Sequence, residues 1–583
     1  MISQNHMIRK IIKKNKFKNT NSFVEPDEIF LDSKNLQNFD RQQFEGRIER
    51  PISKKTILTL GILFLFFTGI FGARLVYLQI QKGETYFNRS QNNMFEKTLI
   101  FTDRGIIYDR NKKELAWNKK EEVGTLPPSE SKTLNLPPTR AYLSPGFSHL
   151  VGYVSYPSQD NTGNYWQSEF IGKDGLEKQY NDALKGENGA TIIETDAFKK
   201  IYSENIVNTP KQGTDLITTI DARIQGELFT LIKNLSANRT FTGGSGVIMD
   251  VTNGEVITTT SFPEYDSEIL SFGKDVSTIN NYLTDKRKVF VDKNISGLYT
   301  PGSIIKPFFA LGALTEGVID PYKKILSTGS ISIPNPYFPD QKTVFKDWQV
   351  NGWTNMMEAL AVSSDVYFYE IGGGFENQKG LGIANIEKYA KLFGFADKTG
   401  IDLPDEKKGT IPSPEWKALN FKNDPWRIGD TYHTAIGQYG FQVTPMEMAR
   451  AVGAIANNGK LLTPHLVLND TVKNNQTTAL NLNKENFDFI HQGMRLAVTS
   501  GTASSLNVPY VQVAAKTGTA QVGLAKNKVN SWVIGFFPYD NPKYAFAIML
   551  ENGPSASGSG AAASTMGQLL SWMSINTPEY FTP

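Results

Sequence analysis

The sequence predicts a large mixed α/β domain of the α+β kind, with a central antiparallel sheet flanked by helices. A small β-rich module and one membrane-spanning helix precede it. Three observations carry this. Strand-like runs stand at both ends of residues 215–583 with helical stretches between them. Hairpin signals supply several of these strands, which favours antiparallel pairing. Near the N-terminus, Thr56 to Ala73 is an uncharged run rich in Leu, Ile and Phe. A chain of 583 residues is too long for one ordinary core, so two or more folded domains are expected.

Residues 1–55 form a polar tail with 12 Lys+Arg against 7 Asp+Glu, densest between Ile8 and Lys18. The whole chain has a formal charge of only +3, which makes no case for nucleic-acid binding. Beside an apolar run, the basic cluster reads as a cytosolic tail near anionic membrane lipid. The anchor is expected over residues 56–80, with Lys54 and Lys55 before the uncharged run and Arg74 snorkelling after it. A cleaved signal peptide would not carry so long a polar leader, and a core helix rarely lacks a polar face. The basic excess places the N-terminus in the cytosol and everything after residue 80 outside. The chain has no cysteine, so its exported part must be held by its core.

Residues 81–214 are punctuated by Gly and Pro, with short strands near Thr98 to Phe101 and Ile106 to Tyr108 and a loop over Leu126 to Pro138. From residue 215 the texture changes. Thr214 to Ile220 alternates like a strand, and Asp221 caps a helix running through Ile232. Gly246 to Met249 and Glu255 to Thr260 flank Thr252-Asn253-Gly254, a hairpin signal. Thr444 to Asn457 reads as a helix, with Pro445 at its start and Gly459 beyond its end. Val511 to Ala515, Ser531 to Phe537 and Tyr544 to Leu550 read as strands, and Ser555 to Ser564 as a loop before a last helix.

The stretch around which the chain is organised is Tyr299 to Leu314. Pro301 and Gly302 make a turn, and an almost wholly apolar helix follows until Glu316 and Gly317. Ser303 stands at the helix mouth, with Lys306 one turn on and on the same face. That is a nucleophile beside a possible base, and burial with the helix dipole is expected to lower the Lys306 pKa. By itself the pattern is weak, because Ser-x-x-Lys also occurs at Ser129 with Lys132 and at Ser271 with Lys274. Neither opens an apolar helix.

Two companions lower the odds of coincidence. Lys516-Thr517-Gly518-Thr519 follows the apolar run Val511 to Ala515. On an edge strand it would offer backbone groups to an extended peptide, Gly518 would permit close approach, and Lys516 with Thr517 and Thr519 would bind an anion. The same letters at Lys398-Thr399-Gly400 lie in a loop. Ser363-Ser364-Asp365 stands between the helical run Asn355 to Val362 and the aromatic run after it, where a hydroxyl and a carboxylate can relay protons or serve as an ordinary helix cap. Other chemistries fit poorly. No Gly-x-Ser-x-Gly elbow accompanies the five histidines, and there is no His-Glu-x-x-His and no Gly-Lys followed by Ser or Thr.

The three elements, in this order, resemble the active site of the penicillin-binding proteins and serine β-lactamases. Asp103 to Asn111, Gly172 to Tyr180, Gly429-Asp430-Thr431 and Ile436-Gly437-Gln438 narrow the resemblance to class B, monofunctional transpeptidases. Class A is disfavoured because no glycosyltransferase domain is apparent before the pedestal. The resemblance implies a transpeptidase domain over residues 215–583 and a pedestal over 81–214. It also implies that Ser303 attacks the penultimate D-Ala of a peptidoglycan stem while Lys306 takes its proton. Ser363 would pass protons between Lys306, Lys516 and the leaving amine. Asp365, Thr517, Gly518 and Thr519 would bind substrate, and the N–H groups of Ser303 and Thr519 would form the oxyanion hole.

The implied partners are peptidoglycan stem peptides, the lipid-linked precursor, β-lactams, membrane lipid and a membrane glycosyltransferase of the elongation or division machinery. No cofactor is implied. Asp365, where many relatives carry Asn, favours the elongation type; a carboxylate near Lys306 would hold that lysine protonated unless Lys516 competes for the charge. Some elongation enzymes hold a metal through His and Cys; here the corresponding stretch is Gly352-Trp353-Thr354, and no metal is expected. The span Asn111 to Arg140 is short for the family, so the pedestal's head is reduced. Alternative readings are a carboxypeptidase or β-lactamase, and a non-enzymatic sensor or scaffold.

Overall fold

The computed structural model describes residues 53–582 except 120–135, 162, 196–200, 336, 339, 469–476 and 524–526. The expected tail and the Ser129/Lys132 pair lie outside these. The chain divides into two compact units, Met1–Asn93 and Met94–Pro583.

In the first unit, an α-helix over Lys54–Val76 continues as a π-turn over Tyr77–Gln81. The resulting 28-residue helix is about 42 Å long at 1.5 Å per residue, enough to cross a membrane. Its polar atoms suit an apolar surrounding: Thr59 and Thr68 donate their hydroxyls to the carbonyls of Lys55 and Phe64, each at 2.7 Å. Among the described residues this is the one helix long and apolar enough to span, as in a single-pass membrane protein.

The second unit opens with the β-rich module. Phe95–Ile100, Gly189–Thr195 and Ile201–Asn208 form an antiparallel sheet. Ile107–Tyr108, Glu114–Lys119, Thr139–Tyr142 and Leu216–Ile217 form a second sheet. The strand expected over Thr214 to Ile220 thus shrinks to two residues, because its neighbours serve other elements. Thr219 donates its hydroxyl to the carbonyl of Val256, and Asp221 caps the helix Ala222–Asn238. At the module's centre Glu177 accepts from Arg104 at 2.5 Å and from Arg140 at 2.8 Å, all three side chains fully buried. Such a triad is costly to desolvate, and losing its one carboxylate would strand two buried cations.

The main domain is built on five antiparallel strands: β1 Gly243–Asp250, β2 Val256–Phe262, β3 Ala514–Val522, β4 Lys528–Phe537 and β5 Tyr544–Pro554. Their spatial order is β2-β1-β5-β4-β3, which leaves β3 at an edge. Alternate residues of the inner strands belong to two separate cores. Ile248, Val533, Phe546 and Ile548 pack with the helices Ala222–Asn238 and Ala561–Asn576. Met249, Trp532, Ile534 and Ala547 pack with Pro445–Ala456 and with the helix that follows Ser303. Both faces are covered, so these strands read as continuous apolar runs. Two sequence boundaries move. The run Lys516 to Thr519 lies inside β3, and the loop expected over Ser555 to Ser564 contains a short helix, Ser555–Gly558, and the start of the last one.

Candidate active site

Ser303 lies in a 3₁₀ turn over Gly302–Ile305 that leads into the α-helix Lys306–Thr315. In a 3₁₀ turn residues three apart eclipse, so Lys306 keeps the same face as Ser303 although the α-helix begins only at the lysine. Pro307 sits in the first α-turn, where its missing N–H costs least, and Gly317 takes φ +62° beyond the helix end. The Ser303 side chain is partly exposed. Its N–H falls in the first turn, where the helix supplies no acceptor.

The serine turn is tied down from several directions. Gly302 N–H donates to the Gly437 carbonyl at 3.0 Å, Trp532 Nε1–H to the Thr300 carbonyl at 3.0 Å, and Tyr299 pairs with Val443. Gly518 lies directly against it. A Cβ there would meet Ile304 Cγ2 at 2.9 Å and the Pro301 carbonyl at 3.0 Å. Close approach at Gly518 was expected for a bound peptide; the structure shows that the serine's own turn occupies that side. The outer edge of β3 still faces away from the sheet.

Lys306, fully buried, lies 2.6 Å from Asp365 Oδ1, 2.8 Å from the Ser363 carbonyl oxygen and 3.4 Å from Ser363 Oγ. Lys516, also fully buried, lies 2.8 Å from the same Ser363 Oγ and 2.9 Å from the Thr517 carbonyl oxygen. One hydroxyl therefore stands between two buried amines. Burial pushes the Lys516 amine well below the ordinary lysine range, and the Lys306 ammonium adds to this, against a smaller opposing pull from Asp365. Sequence reasoning gave two readings of Lys306, lowered by burial at the helix mouth or held protonated by Asp365. The structure places Lys306 on that carboxylate, and the amine that burial lowers is Lys516, which among the described residues has no acidic group in contact.

Ser363 reaches both lysines because it ends the helix Met356–Val362 in the left-handed conformation, φ +60° and ψ 39°. Ser364 then caps the helix Asp365–Gly373. The cap reading of this triplet applies to Ser364, while the hydroxyl of Ser363 lies between the two lysines. The Thr517 hydroxyl lies 2.6 Å from that of Thr502, while Thr519 is exposed on the edge strand. Sequence reasoning missed Thr502, Trp532 and Asp347. Asp347 accepts from Ser364 and Asp365, but lies 18 residues before Asp365, at a spacing that matches no local period. The decoys separate cleanly: Thr399 bonds Glu406 within its own loop, and Ser271 bonds Tyr142. Among the described residues no three His, Cys, Asp or Glu side chains cluster as metal ligands.

The family described as the Penicillin binding protein transpeptidase domain matches residues 244–571, more than half of the chain, and the Penicillin-binding Protein dimerisation domain matches residues 133–218. The peptidoglycan D,D-transpeptidase MrdA of Acinetobacter baumannii is 31% identical over 438 residues, which cover 70% of this chain and 62% of that protein. The alignment thus spans less than two thirds of that relative. MrdA of Escherichia coli is 27% identical over 612 residues, covering 88% of this chain and 93% of that protein. Among solved structures, the complex between Penicillin-Binding Protein (PBP2) and MreC from Helicobacter pylori superposes with a TM-score of 0.67 at 28% identity. It covers 84% of this chain and 99% of that one. The fold and these matches lead to one assignment: the chain belongs to the penicillin-binding protein transpeptidase family and is most like its class B, elongation-type members.

Proposed function

We propose that this chain is a peptidoglycan D,D-transpeptidase of cell-wall synthesis that works through an acyl-enzyme on Ser303. The observation that supports this most directly is the Ser363 hydroxyl between Lys306 and Lys516. In the resting site Lys306 sits on the Asp365 carboxylate, and burial favours the free-amine form of Lys516. Passing one proton from Lys306 through Ser363 to Lys516 leaves Lys306 with a lone pair for the Ser303 proton. Ser303 Oγ then bonds to the carbonyl carbon of the penultimate D-Ala. The developing oxyanion is held by the N–H groups of Ser303 and Thr519. The C–N bond breaks, the proton leaves with the D-Ala amine, and an ester remains. An amine of a second stem attacks the ester, forms the cross-link and returns a proton to Ser303.

Thr517 and Thr519, on the open edge of β3, bind the donor's terminal carboxylate, and Asp365 keeps Lys306 oriented. The basic tail before the spanning helix places the N-terminus in the cytosol and the catalytic domain outside. The partners are lipid-linked precursor, a membrane glycosyltransferase and, given the Helicobacter pylori complex, a scaffold of the MreC kind. The pedestal spans residues 81–214. The test is labelling of the detergent-solubilised chain by a fluorescent penicillin, with intact mass followed over hours. A stable adduct on the wild type and none on Ser303→Ala is expected; an adduct that hydrolyses within minutes would move the chain to the hydrolases, and none on folded wild type would overturn the reading.

A further inference from the structure

We propose that Asp347 and Trp348 form a clamp that positions Ser363 and Asp365 for acyl transfer. This rests on the lysine relay described above. Ser363 has a left-handed backbone at φ +60°, a strained conformation for a non-glycine residue that persists only where surrounding structure imposes it. The imposing groups lie on another segment, where the hairpin Ser330–Pro334 and Lys342–Lys346 runs out.

On the near side of Ser363, Trp348 Nε1–H donates to the Val362 carbonyl at 3.1 Å. On the far side, the Asp347 carboxylate collects the first groups of the next helix. Its Oδ1 accepts from Asp365 N–H at 3.0 Å, and its Oδ2 from the Ser364 hydroxyl at 2.7 Å and Val366 N–H at 3.2 Å. Consecutive residues of one strand exit therefore grip both flanks of the relay serine. Asp347 is itself fixed from behind. The Ser327 hydroxyl and the Asn351 amide donate to Oδ2 at 2.9 and 3.0 Å, Trp348 N–H donates to Oδ1 at 2.9 Å, and Asp347 N–H donates to the Gly329 carbonyl at 2.9 Å.

The carboxylate also meets the positive end of the helix Asp365–Gly373. Burial would raise its pKa, but the hydrogen bonds from Asp365, Ser364, Val366 and Ser327 outweigh burial and hold it below the usual aspartate value. Asp347 touches neither Ser303 nor either lysine in any described contact, so it is a positioning residue.

Asp347→Asn keeps the size but leaves one acceptor oxygen for six donors, and its NH₂ must face donors on either side. The full-length protein in detergent is mixed with fluorescent penicillin, and the dependence of rate on drug concentration separates the pre-covalent dissociation constant from the acylation rate constant. For Asp347→Asn the rate constant is expected to fall roughly 10- to 100-fold, as a misplacement of about 1 Å would cause, with the dissociation constant within about threefold. Its rise with pH should move to higher pH, because a loosened Ser363 admits water to Lys516, which faces Lys306, Asp365 and Ser363 among the charged and catalytic groups of the described residues.

Trp348 is exposed, so Trp348→Phe removes one donor without disturbing the core; it should slow acylation roughly 3- to 10-fold. It remains decisive if Asp347→Asn does not fold. A purely structural role predicts fewer labelled molecules with an unchanged rate constant and pH profile in those that label, and that result overturns the clamp. Wild-type acylation at Ser303 together with wild-type rates in both variants also sinks the clamp alone. Absence of labelling on the wild type removes the nucleophile assignment, and the clamp with it.

Discussion

Lys306 Nζ rests 2.6 Å from Asp365 Oδ1, whereas Lys516, joined to the same Ser363 hydroxyl, has no carboxylate in contact among the described residues. Two buried lysines of one site thus have unlike surroundings. An opposite charge at hydrogen-bond distance favours the ammonium, and burial without one favours the free amine. The resting preference therefore keeps the proton on the Asp365 side of Ser363 and a free lone pair on the Lys516 side.

Asp365→Asn tests this asymmetry. The Asp365 charge is the one influence that raises the Lys516 pKa, against burial and the Lys306 ammonium. Its removal lowers the Lys516 pKa further, so the limb along which acylation rises with pH should shift to lower pH. The plateau rate should stay within about tenfold, since the amide oxygen still accepts from Lys306. Acylation rates by fluorescent penicillin between pH 5 and 9 read both; a limb that stays in place refutes the electrostatic coupling.

Gly518→Ala tests the contact between β3 and the serine turn. The new Cβ would lie 2.9 Å from Ile304 Cγ2 and 3.0 Å from the Pro301 carbonyl, too close for either to remain in place. Overpacking of this kind costs about 1–3 kcal/mol. The strain falls on the residues either side of Ser303, so acylation should slow at least about tenfold. Urea unfolding and labelling on the same preparation separate the two effects. Wild-type labelling would mean that the turn yields without harm.

Glu370 predicts a pH dependence of stability. Burial, helped by Glu376 and opposed by Lys323, raises its carboxyl from 4.5 to about 7. The folded chain therefore binds a proton that the unfolded chain has released between these values. The stabilisation this provides is complete below about pH 4.5 and disappears as pH rises through about 7. Because Glu370 is only half-buried, the amount is roughly 1–2 kcal/mol. Glu370→Gln should flatten this part of the stability curve, read as denaturant midpoints at pH 5 and pH 8; an unchanged slope would remove Glu370 as its source.

Much of the fold and most of the candidate site were legible because their signals are local. Thr444 with Glu447 and Asn355 with Glu358 each form reciprocal helix caps at the boundaries their spacing indicates. The hairpin around Asn253-Gly254 pairs as its turn residues require. Val511 to Ala515 was misjudged as the strand before Lys516 because an apolar run marks burial rather than strand ends, and β3 continues through the polar residues of the site. Ser555 to Ser564 carried loop composition, yet packing against β4 and β5 makes part of it helical.

The sequence by itself determined three local arrangements, a serine and lysine on one helical face, a Ser-x-Asp after a helix and a Lys-Thr-Gly-Thr beside an apolar strand, while their meeting was implied by the family resemblance. These depend on the periods of helix and strand, which the chain states locally. Only the tertiary structure decided which lysine is paired and which is left as an amine. Charge state depends on distances of a few ångströms between groups 57 and 153 residues apart, and on the burial their packing imposes. It also decided what holds Ser363 in its left-handed turn, since Asp347 acts across space through hydrogen bonds that no local pattern records.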